Sequence, residues 1–380
     1  MGGTGDFYEL GQSWSLPLAR KIKLNGVEKD VFVFAGGYDT TQDTEDTVRL
    51  GDTSGRTVYM VDVLTGELVW WAGKSGITGP AAGDPTPNLA LSEMDYSMPS
   101  DLTALDLNGD GFLDRIYVPN MGGQLFRIDF DNEGNSGAGS LATGHLFADL
   151  QKSAPTDEPT AANNRRFYFP PDVAFFSDGV DEPFLSLAFG SGYRAHPLNT
   201  TVQDRFYLLQ DKNPFSTPAT YPATLDEGDL KDVTNDLSPN LTGFNGWFIT
   251  LVNSTGTNIG EKVLATATTI AGTVLFTTFS PVAGASANSC APNQGVGTVF
   301  GVSAIDASAT DLFDTVPGGS GSSDPRVVTV LTRTGIPPEV TILFPPSDPG
   351  SPVGLVAAEP LKLTYPNNPV ETYWYEQETQ

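Results

Sequence analysis

The sequence is poor in the residues that form most metal and redox sites. Its 380 residues include one cysteine, Cys290, and two histidines, His145 and His196. One cysteine excludes an internal disulfide framework and any cluster of thiolate ligands. Two histidines exclude a zinc site with three histidine ligands. We interpret Cys290 as an incidental surface thiol, and His196 as a positioned loop residue rather than a general base.

Long apolar runs and known catalytic motifs are also missing. No stretch approaches the roughly 18 apolar residues of a membrane-spanning helix, so the sequence predicts no such helix. The first six residues have neither the basic region nor the apolar segment of a signal peptide. There is no Gly-x-Ser-x-Gly elbow, no HExxH and no GxxxxGK[ST]. We therefore expect a protein without catalytic residues and without an organic cofactor.

Basic residues are scarce relative to acidic ones. Lys and Arg total 20 against 46 Asp and Glu, which gives a formal net charge of −26 at pH 7. Such a surface repels nucleic acid and anionic lipid and favours cations. Two acidic stretches lack the spacing of a metal loop, and we interpret both as solvated loops. They contain Asp39, Asp43, Glu45, Asp46 and Asp52 in the first, and Asp226, Glu227, Asp229, Asp232 and Asp236 in the second.

What the sequence does contain is a series of short strand signals. Runs of β-branched and aromatic residues recur between Gly, Asn, Asp and Pro, and no segment has a convincing amphipathic helical pattern. The apolar content of 39% is sufficient for a large core. The sequence therefore predicts an all-β protein. The main predicted strands are 31–35, 57–62, 68–71, 115–118, 124–130, 184–189, 205–209, 247–251 and 272–279.

A loose internal repeat indicates how these strands are organised. Four segments share a turn, an apolar strand and a closing aspartate: Gly55–Asp62, Gly122–Asp129, Asp204–Asp211 and Gly297–Asp306. Propeller blades usually repeat every 40–50 residues or so, and the wider spacing here requires long inserted loops. We predict a modified β-propeller, with an irregular β-sandwich as the alternative.

The predicted propeller occupies the whole chain, residues 1–380. Approximate blade units are 7–75, 96–150, 165–212 and 244–308, followed by a closing region, 325–376. The five tryptophans are interpreted as packing anchors between blades rather than as a platform for a cofactor or sugar. They are Trp14, Trp70, Trp71, Trp247 and Trp374.

The most specific local motif is DLNGDGFLD, Asp106–Asp114. Its polar residues stand at positions 1, 3, 5 and 9 with Gly111 at position 6, which is the spacing of a calcium loop. Position 12 is Tyr117 rather than the bidentate Glu of an EF-hand, and both flanks resemble strands. We predict a Ca²⁺ loop within a β-hairpin, of roughly micromolar to millimolar affinity; the alternative is a solvated turn. The predicted ligands are the side chains of Asp106, Asn108, Asp110 and Asp114 and the carbonyl of Phe112.

The chain resembles the C-terminal β-propeller of the type IV pilus tip-associated adhesins, the PilC/PilY family, from about residue 7 to residue 376. The stretch GSGYRAHPLNTTVQDRFYLLQD is the most specific, because no general propeller rule requires it. The segments that carry the resemblance are Leu10–Pro17, Phe34–Asp39, Val58–Trp70, Asp106–Phe130, Arg165–Ala174, Gly190–Asp211, Gly260–Pro281 and Glu371–Tyr375.

This resemblance implies an exported protein at the cell surface or on the pilus. It implies a non-catalytic role in pilus assembly, calcium-modulated extension and retraction, and attachment to host or abiotic surfaces, with minor pilins as partners. Family members have earlier blades and an N-terminal region upstream. We therefore expect this chain to be the later part of a longer protein, with an incomplete propeller on its N-terminal side and its signal peptide in the missing part.

Two other function classes remain open at this point. An integrin-α-like adhesive propeller also has DxNxDGxxD loops between strands, but it repeats them in several blades, whereas the motif occurs once here. A quinoprotein-type propeller enzyme would need regular tryptophan-bearing blade motifs, which the five tryptophans do not form. Visible absorbance of a bound quinone would separate the enzyme from the adhesins.

Overall fold

The predicted strand content is confirmed in a computed structural model, which describes residues 5–43, 51–177, 182–281, 295–310, 312, 324–345 and 352–363. Within these ranges there are 22 strands, four short 3₁₀ turns and no α-helix. Each of the nine main predicted strands corresponds to an observed strand within a few residues. The protein is an all-β structure with a β-propeller fold.

The first two sheets lie on the N-terminal side of the fold. In the first, four antiparallel strands follow chain order, and a short fifth strand pairs in parallel with the fourth. The second is a four-stranded antiparallel meander. Their strands are β1 (Leu18–Leu24), β2 (Val27–Ala35), β3 (Thr57–Asp62), β4 (Leu68–Lys74) and β5 (Leu89–Leu91), then β6 (Thr103–Leu105), β7 (Arg115–Pro119), β8 (Gln124–Phe130) and β9 (Ala142–Asp149).

The third and fourth sheets continue the pattern. The third includes β10 (Asp172–Phe176), β11 (Phe184–Gly190), β12 (Arg205–Asp211), β13 (Lys231–Asp232) and β14 (Gly246–Thr250). The fourth includes β15 (Lys262–Val263), β16 (Thr268–Ile270), β17 (Thr273–Ser280), β18 (Val296–Ser303) and β19 (Val327–Val330). A smaller fifth sheet consists of β20 (Val340–Leu343), β21 (Val353–Val356) and β22 (Glu359–Lys362).

Each sheet shares an apolar cluster with the next one along the chain. One cluster joins the first and second sheets around Trp70 and Phe126, and another joins the second and third around Leu125 and Leu187. Similar clusters join the third sheet to the fourth and the fourth to the fifth. Because every strand alternates its side chains between two faces, each inner sheet buries apolar residues on both sides. This serial stacking of sheets is typical of propeller blades.

Two of the predicted unit boundaries differ from the observed sheets. Strand β14 lies in the predicted unit 244–308, yet it pairs with β12 in the third sheet. A long insertion after β12 separates these two strands in sequence. The prediction therefore groups β14 with the strands that follow it in the chain, although it pairs with β12. The predicted closing region 325–376 is divided between β19, in the fourth sheet, and the fifth sheet; residues 364–376 lie outside the described part of the chain.

The packing role predicted for the tryptophans holds for three of them and is wrong for a fourth. Trp70, Trp71 and Trp247 are almost fully buried. Trp14, in the segment before β1, is 48% exposed. Trp374 lies outside the described residues.

The interpretation of the two acidic stretches as solvated loops is wrong for the members that are buried. Asp39 and Asp52 are buried, and Asp39 accepts hydrogen bonds from the backbone N–H and hydroxyl groups of Thr41, Thr53 and Ser54. Burial opposes ionisation of Asp39, but these donors outweigh it and lower its pKa to about 2. Glu45 and Asp46 lie outside the described residues.

Glu227, in the second acidic stretch, is also buried rather than solvated. It forms ion pairs with Arg165 at 2.9 Å and Arg205 at 2.6 Å, and it accepts a hydrogen bond from the hydroxyl of Tyr207. A carboxylate with two cationic partners is compatible with burial, since the charges compensate each other. Sequence spacing alone does not show these partners, which come from distant segments.

Candidate metal centre

The predicted calcium loop closes a β-hairpin, as the flanking strand signals indicate. Strands β6 and β7 are antiparallel, and Leu105 pairs with Arg115 directly across the loop. Gly109 and Gly111 have φ angles of 77° and 88°, in the left-handed region that favours glycine. No atom lies within 4 Å of where a Cβ would stand on either glycine. The requirement for glycine at position 6 of the motif is therefore conformational rather than steric.

The acidic side chains turn back onto the loop that carries them. Asp106 accepts hydrogen bonds from the N–H of Gly109 and of Gly111, both at 2.7 Å. Asp110 accepts one from the N–H of Phe112 at 2.9 Å. A carboxylate oxygen has two lone pairs, so one N–H donor leaves capacity for a second partner. The loop backbone thus donates to its own carboxylates, while Asp106 and Asp110 stay exposed to solvent.

Asn108 and Asp114 complete this arrangement. The side-chain oxygen of Asn108 accepts from the N–H of Asp110, and its amide donates to the Asp110 carboxylate at 3.1 Å. Asp114 Oδ2 accepts from the N–H of Leu107 at 2.7 Å and more weakly from that of Asn108 at 3.3 Å. The four predicted side-chain ligands therefore contact one compact loop backbone.

Electrostatic repulsion among the carboxylates is already evident. Burial raises the pKa of Asp114, and the negative charges of Asp110 and Asp106 raise it further, against the opposing hydrogen bonds from Leu107 and Asn108. Within the described ranges, no three His, Cys, Asp or Glu side chains are arranged so that they alone could hold a metal ion. The donor set is nevertheless composed only of hard oxygens, the class that Ca²⁺ prefers. The assignment of the five ligands stays a prediction.

The loop also contacts the neighbouring sheet. The N–H of Leu113 donates to the carbonyl of Lys21 in β1 at 2.9 Å, and the Lys23 ammonium lies 4.6 Å from the ring centroid of Phe112. Asn132 bridges the same two elements, because its side chain accepts from Lys23 N–H and donates to the carbonyl of Leu113. The conformation of the loop is therefore coupled to the edge strand of the first sheet.

Directly after the loop lies a buried cluster of charges that sequence reasoning misses. Arg115 and Arg127 share the Asp129 carboxylate, with N–O distances of 2.6 and 2.8 Å, and Arg127 also pairs with Asp211 at 2.8 Å. All four side chains are at most 2% exposed. Charged residues inside otherwise apolar strands are the sequence feature that could have indicated this cluster. This cluster connects the C-terminal end of the loop to the third sheet through Asp211 of β12.

The cluster also holds an inserted loop against the hairpin. Arg115 donates to the carbonyls of Asn213 and Pro214, and both arginines donate to that of Ser216. Tyr221 donates to Asp129 and stacks on His145, with ring centroids 4.1 Å apart. Burial and the nearby Arg127 charge lower the pKa of His145 to about 4, so this histidine is neutral at pH 7.

The other two residues considered in the sequence are not part of this site. His196 is an exposed residue of the turn between β11 and β12, and its Nε2 lies 2.5 Å from the carbonyl oxygen of Asp43. Its surroundings fit a positioned loop residue. Cys290 lies outside the described residues.

Comparison with solved structures identifies the fold. The C-terminal domain of PilY1 from Pseudomonas aeruginosa superposes with a TM-score of 0.59 at 17% identity, over 93% of this chain and 73% of that one. The chain has the PilY1 C-terminal fold. At this identity the likeness establishes the architecture alone. No family model matches the sequence, and no curated protein matches it either.

Two further solved structures have low TM-scores against this chain. BBS1N, in complex with ARL6DN, covers 93% of both chains at 10% identity, with a TM-score of 0.23. The quinohemoprotein alcohol dehydrogenase ADHIIG from Pseudomonas putida HK5 gives a TM-score of 0.30 at 12% identity, over 92% of this chain and 53% of that one. Neither score supports an inference about this protein. Across the residues that the structure describes, no helix has the length and apolar character needed to cross a membrane.

Proposed function

We propose that this protein is a calcium-binding, non-catalytic component of a type IV pilus system, with an adhesin-like role at the cell surface. The observation that carries the proposal is a PilY1-like propeller in which a DxNxDGxxD loop closes a hairpin between two neighbouring strands of one sheet. Minor pilins are the proposed partners within the pilus, and host or abiotic surfaces are the proposed targets. Export to the cell surface follows from this role and belongs to the same proposal.

Bound Ca²⁺ would neutralise the mutual repulsion of the loop carboxylates. The side chains of Asp106, Asn108, Asp110 and Asp114 would hold it, with the carbonyl of Phe112. The loop N–H groups keep these carboxylates oriented, and the contact between Leu113 and Lys21 connects the loop to the first sheet. An ion that binds the ordered loop and not the disordered one shifts the equilibrium between the two towards the ordered loop, to the extent set by the difference in affinity. We propose that the ordered loop presents a surface to the pilus machinery.

Thermal unfolding with and without calcium tests the ion-binding part of the proposal. At free Ca²⁺ of about 100 times Kd, binding stabilises the native state by about 2.7 kcal/mol. For a chain of 380 residues, that corresponds to a rise in Tm of about 3 °C. Asp110→Ala should abolish this rise, whereas Asp236→Ala, which removes an aspartate far from the loop, should retain it. An unchanged calcium response in Asp110→Ala would contradict the assignment.

The pilus role needs its own experiment in the cell. Replacing the chromosomal copy with the Asp110→Ala variant should change the number of surface pili and the twitching zone, and chelation of calcium should have the same effect in the parent. Immunogold labelling should place the protein on pili. Labelling confined to the cell interior, or pilus number and twitching that do not respond to deletion, would rule the role out.

The enzymatic alternative has an independent readout. The protein purified from its native host should show no visible absorbance of a quinone. A quinone band that co-purifies with the protein would favour a quinoprotein-type enzyme over the proposed adhesin-like role, irrespective of whether calcium binds.

A further inference from the structure

A shallow cleft lies beside the exposed tryptophan, away from the calcium loop. Its volume is about 420 Å³, within the range of small-molecule sites. Its walls combine aromatic rings with one carboxylate and one guanidinium, which come from segments far apart in the chain. The lining residues are Trp14, Pro99, Asp101, Tyr168, Phe169 and Arg194.

Trp14 presents one face of its indole to solvent. Its opposite face stacks on Tyr38, with ring centroids 4.5 Å apart and an interplanar angle of 11°. Tyr168 extends this stack, at 6.3 Å and 22° from Trp14. Since Tyr38 and Tyr168 are buried and cover the inner face, the exposed 48% of Trp14 belongs to its outer face and its edges. Two buried aromatic rings therefore support a flat, open aromatic surface.

The backbone on both sides of Trp14 is fixed. Gln12 and Tyr38 exchange two backbone hydrogen bonds of 2.8 Å, and the N–H of Leu16 donates to Asp101 Oδ1 at 2.6 Å. The close approach at Gln12 requires Gly37, where a Cβ would stand 2.2 Å from the Gln12 carbonyl oxygen. With its backbone held in this way and its ring stacked on Tyr38, the Trp14 side chain loses little conformational freedom when a ligand binds.

Two polar groups beside the aromatic surface have unused hydrogen-bonding capacity. Asp101 uses Oδ1 for Leu16, and its Oδ2 has no hydrogen-bond partner in the described part of the chain. The Arg194 guanidinium lies 5.5 Å from the ring centroid of Phe169 and forms no hydrogen bond or ion pair with any described residue. The cleft thus offers an acceptor and a set of donors next to a stacking surface.

We propose that this cleft binds a neutral saccharide, with a pyranose ring stacked on Trp14 and ring hydroxyls bonded to Asp101 and Arg194. A sugar ring has an apolar C–H face for the indole and equatorial hydroxyls that both donate and accept. An anionic ligand is disfavoured by the net charge of −26. A proline-rich peptide would use the tryptophan but would leave both polar groups without partners. This inference goes beyond the proposed pilus role and does not depend on calcium binding.

Ligand-observed NMR with purified full chain tests the proposal. The probes are the methyl glycosides of glucose, galactose, N-acetylglucosamine and N-acetylgalactosamine, with hexaproline peptide and a sulfated disaccharide as competitors of other chemistry. At least one methyl glycoside should bind with Kd of about 1 mM, the range for a ligand of this size. Trp14→Ala should weaken it about tenfold or more, as expected for loss of an aromatic stack, whereas Trp14→Phe should retain most of the affinity.

Control variants distinguish binding at this cleft from non-specific binding elsewhere on the surface and from misfolding. Phe215→Ala removes another exposed aromatic side chain, outside the cleft, and should leave binding unchanged. Asp101→Asn keeps the shape of the side chain and should weaken binding. Asp110→Ala should bind the glycoside normally, so failure of the calcium assignment would be distinguishable from failure of this one. Absence of binding by all four glycosides, preferential binding of hexaproline or the sulfated sugar, or equal binding by Trp14→Ala would overturn the proposal.

Discussion

Asp129→Asn should destabilise the protein more than any exposed Asp→Asn change. Asp129 accepts hydrogen bonds from Arg115, Arg127 and Tyr221, and its side chain is 2% exposed. The native cluster contains two guanidiniums and two carboxylates, so its formal charges cancel. The amide of asparagine would leave one buried positive charge uncompensated, and its NH₂ group would face donors. Removing one partner of a buried pair costs about 3–5 kcal/mol.

Equilibrium denaturation, followed by intrinsic tryptophan fluorescence, measures this cost. Asp236→Asn is the matched control, because Asp236 pairs with Lys231 at 3.8 Å and its side chain is 44% exposed. Exposed pairs contribute little to stability. We expect Asp129→Asn to unfold at clearly lower denaturant concentration and Asp236→Asn to unfold almost as the parent does. Equal midpoints for the two variants would refute the view that this connection to the third sheet stabilises the protein.

Two further predictions concern the segments around Tyr38. Asp39→Asn should lower the free energy of unfolding by about 1.5–3 kcal/mol above pH 4, the range for hydrogen bonds to a charged group. Because the native pKa of Asp39 is about 2, below its ordinary 3.8, this loss should shrink as pH falls from about 4 towards 2. Urea unfolding at a series of pH values measures it, and a loss that does not change with pH would contradict the prediction. In the same assay, Gly37→Ala should lower the free energy of unfolding more than Gly66→Ala does. Both glycines have a positive φ, which costs alanine about 1–2 kcal/mol, but only at Gly37 would the new Cβ stand 2.2 Å from a backbone oxygen. Equal losses for the two variants would be inconsistent with the close approach of Gln12.

Local sequence patterns predict the strands of this protein well, because turn residues and apolar alternation act within a few residues. The hairpin between β1 and β2 is an example: Asn25 and Gly26 both have positive φ, as a tight two-residue turn requires. The loop 106–114 is another, since its glycine spacing and flanking strands are local features. The structure confirms the predicted hairpin around the loop 106–114, whereas the strand β1 and its turn are not among the predicted elements, although their signal is equally local.

Long-range contacts are less accessible from the sequence. The order of strands in the third sheet depends on β14 returning to β12 after a long insertion. The burial of Asp39 and Glu227 depends on partners from separate segments, and without those partners an acidic stretch resembles a solvated loop. Trp14 is the opposite case. A large aromatic residue is usually expected to be buried, and the sequence around Trp14 gives no sign that the structure leaves it half exposed.

The most direct test of the central claim is the number of calcium ions bound per chain. Equilibrium dialysis against Ca²⁺ at a free concentration well above the parent's Kd, with metal content measured by atomic emission, should approach one ion per chain for the parent protein and stay close to none for Asp110→Ala. The double variant Asp106→Ala/Asp114→Ala should behave like Asp110→Ala. Binding of one ion by all three proteins would place calcium elsewhere, and binding by none would show that the loop is a solvated turn.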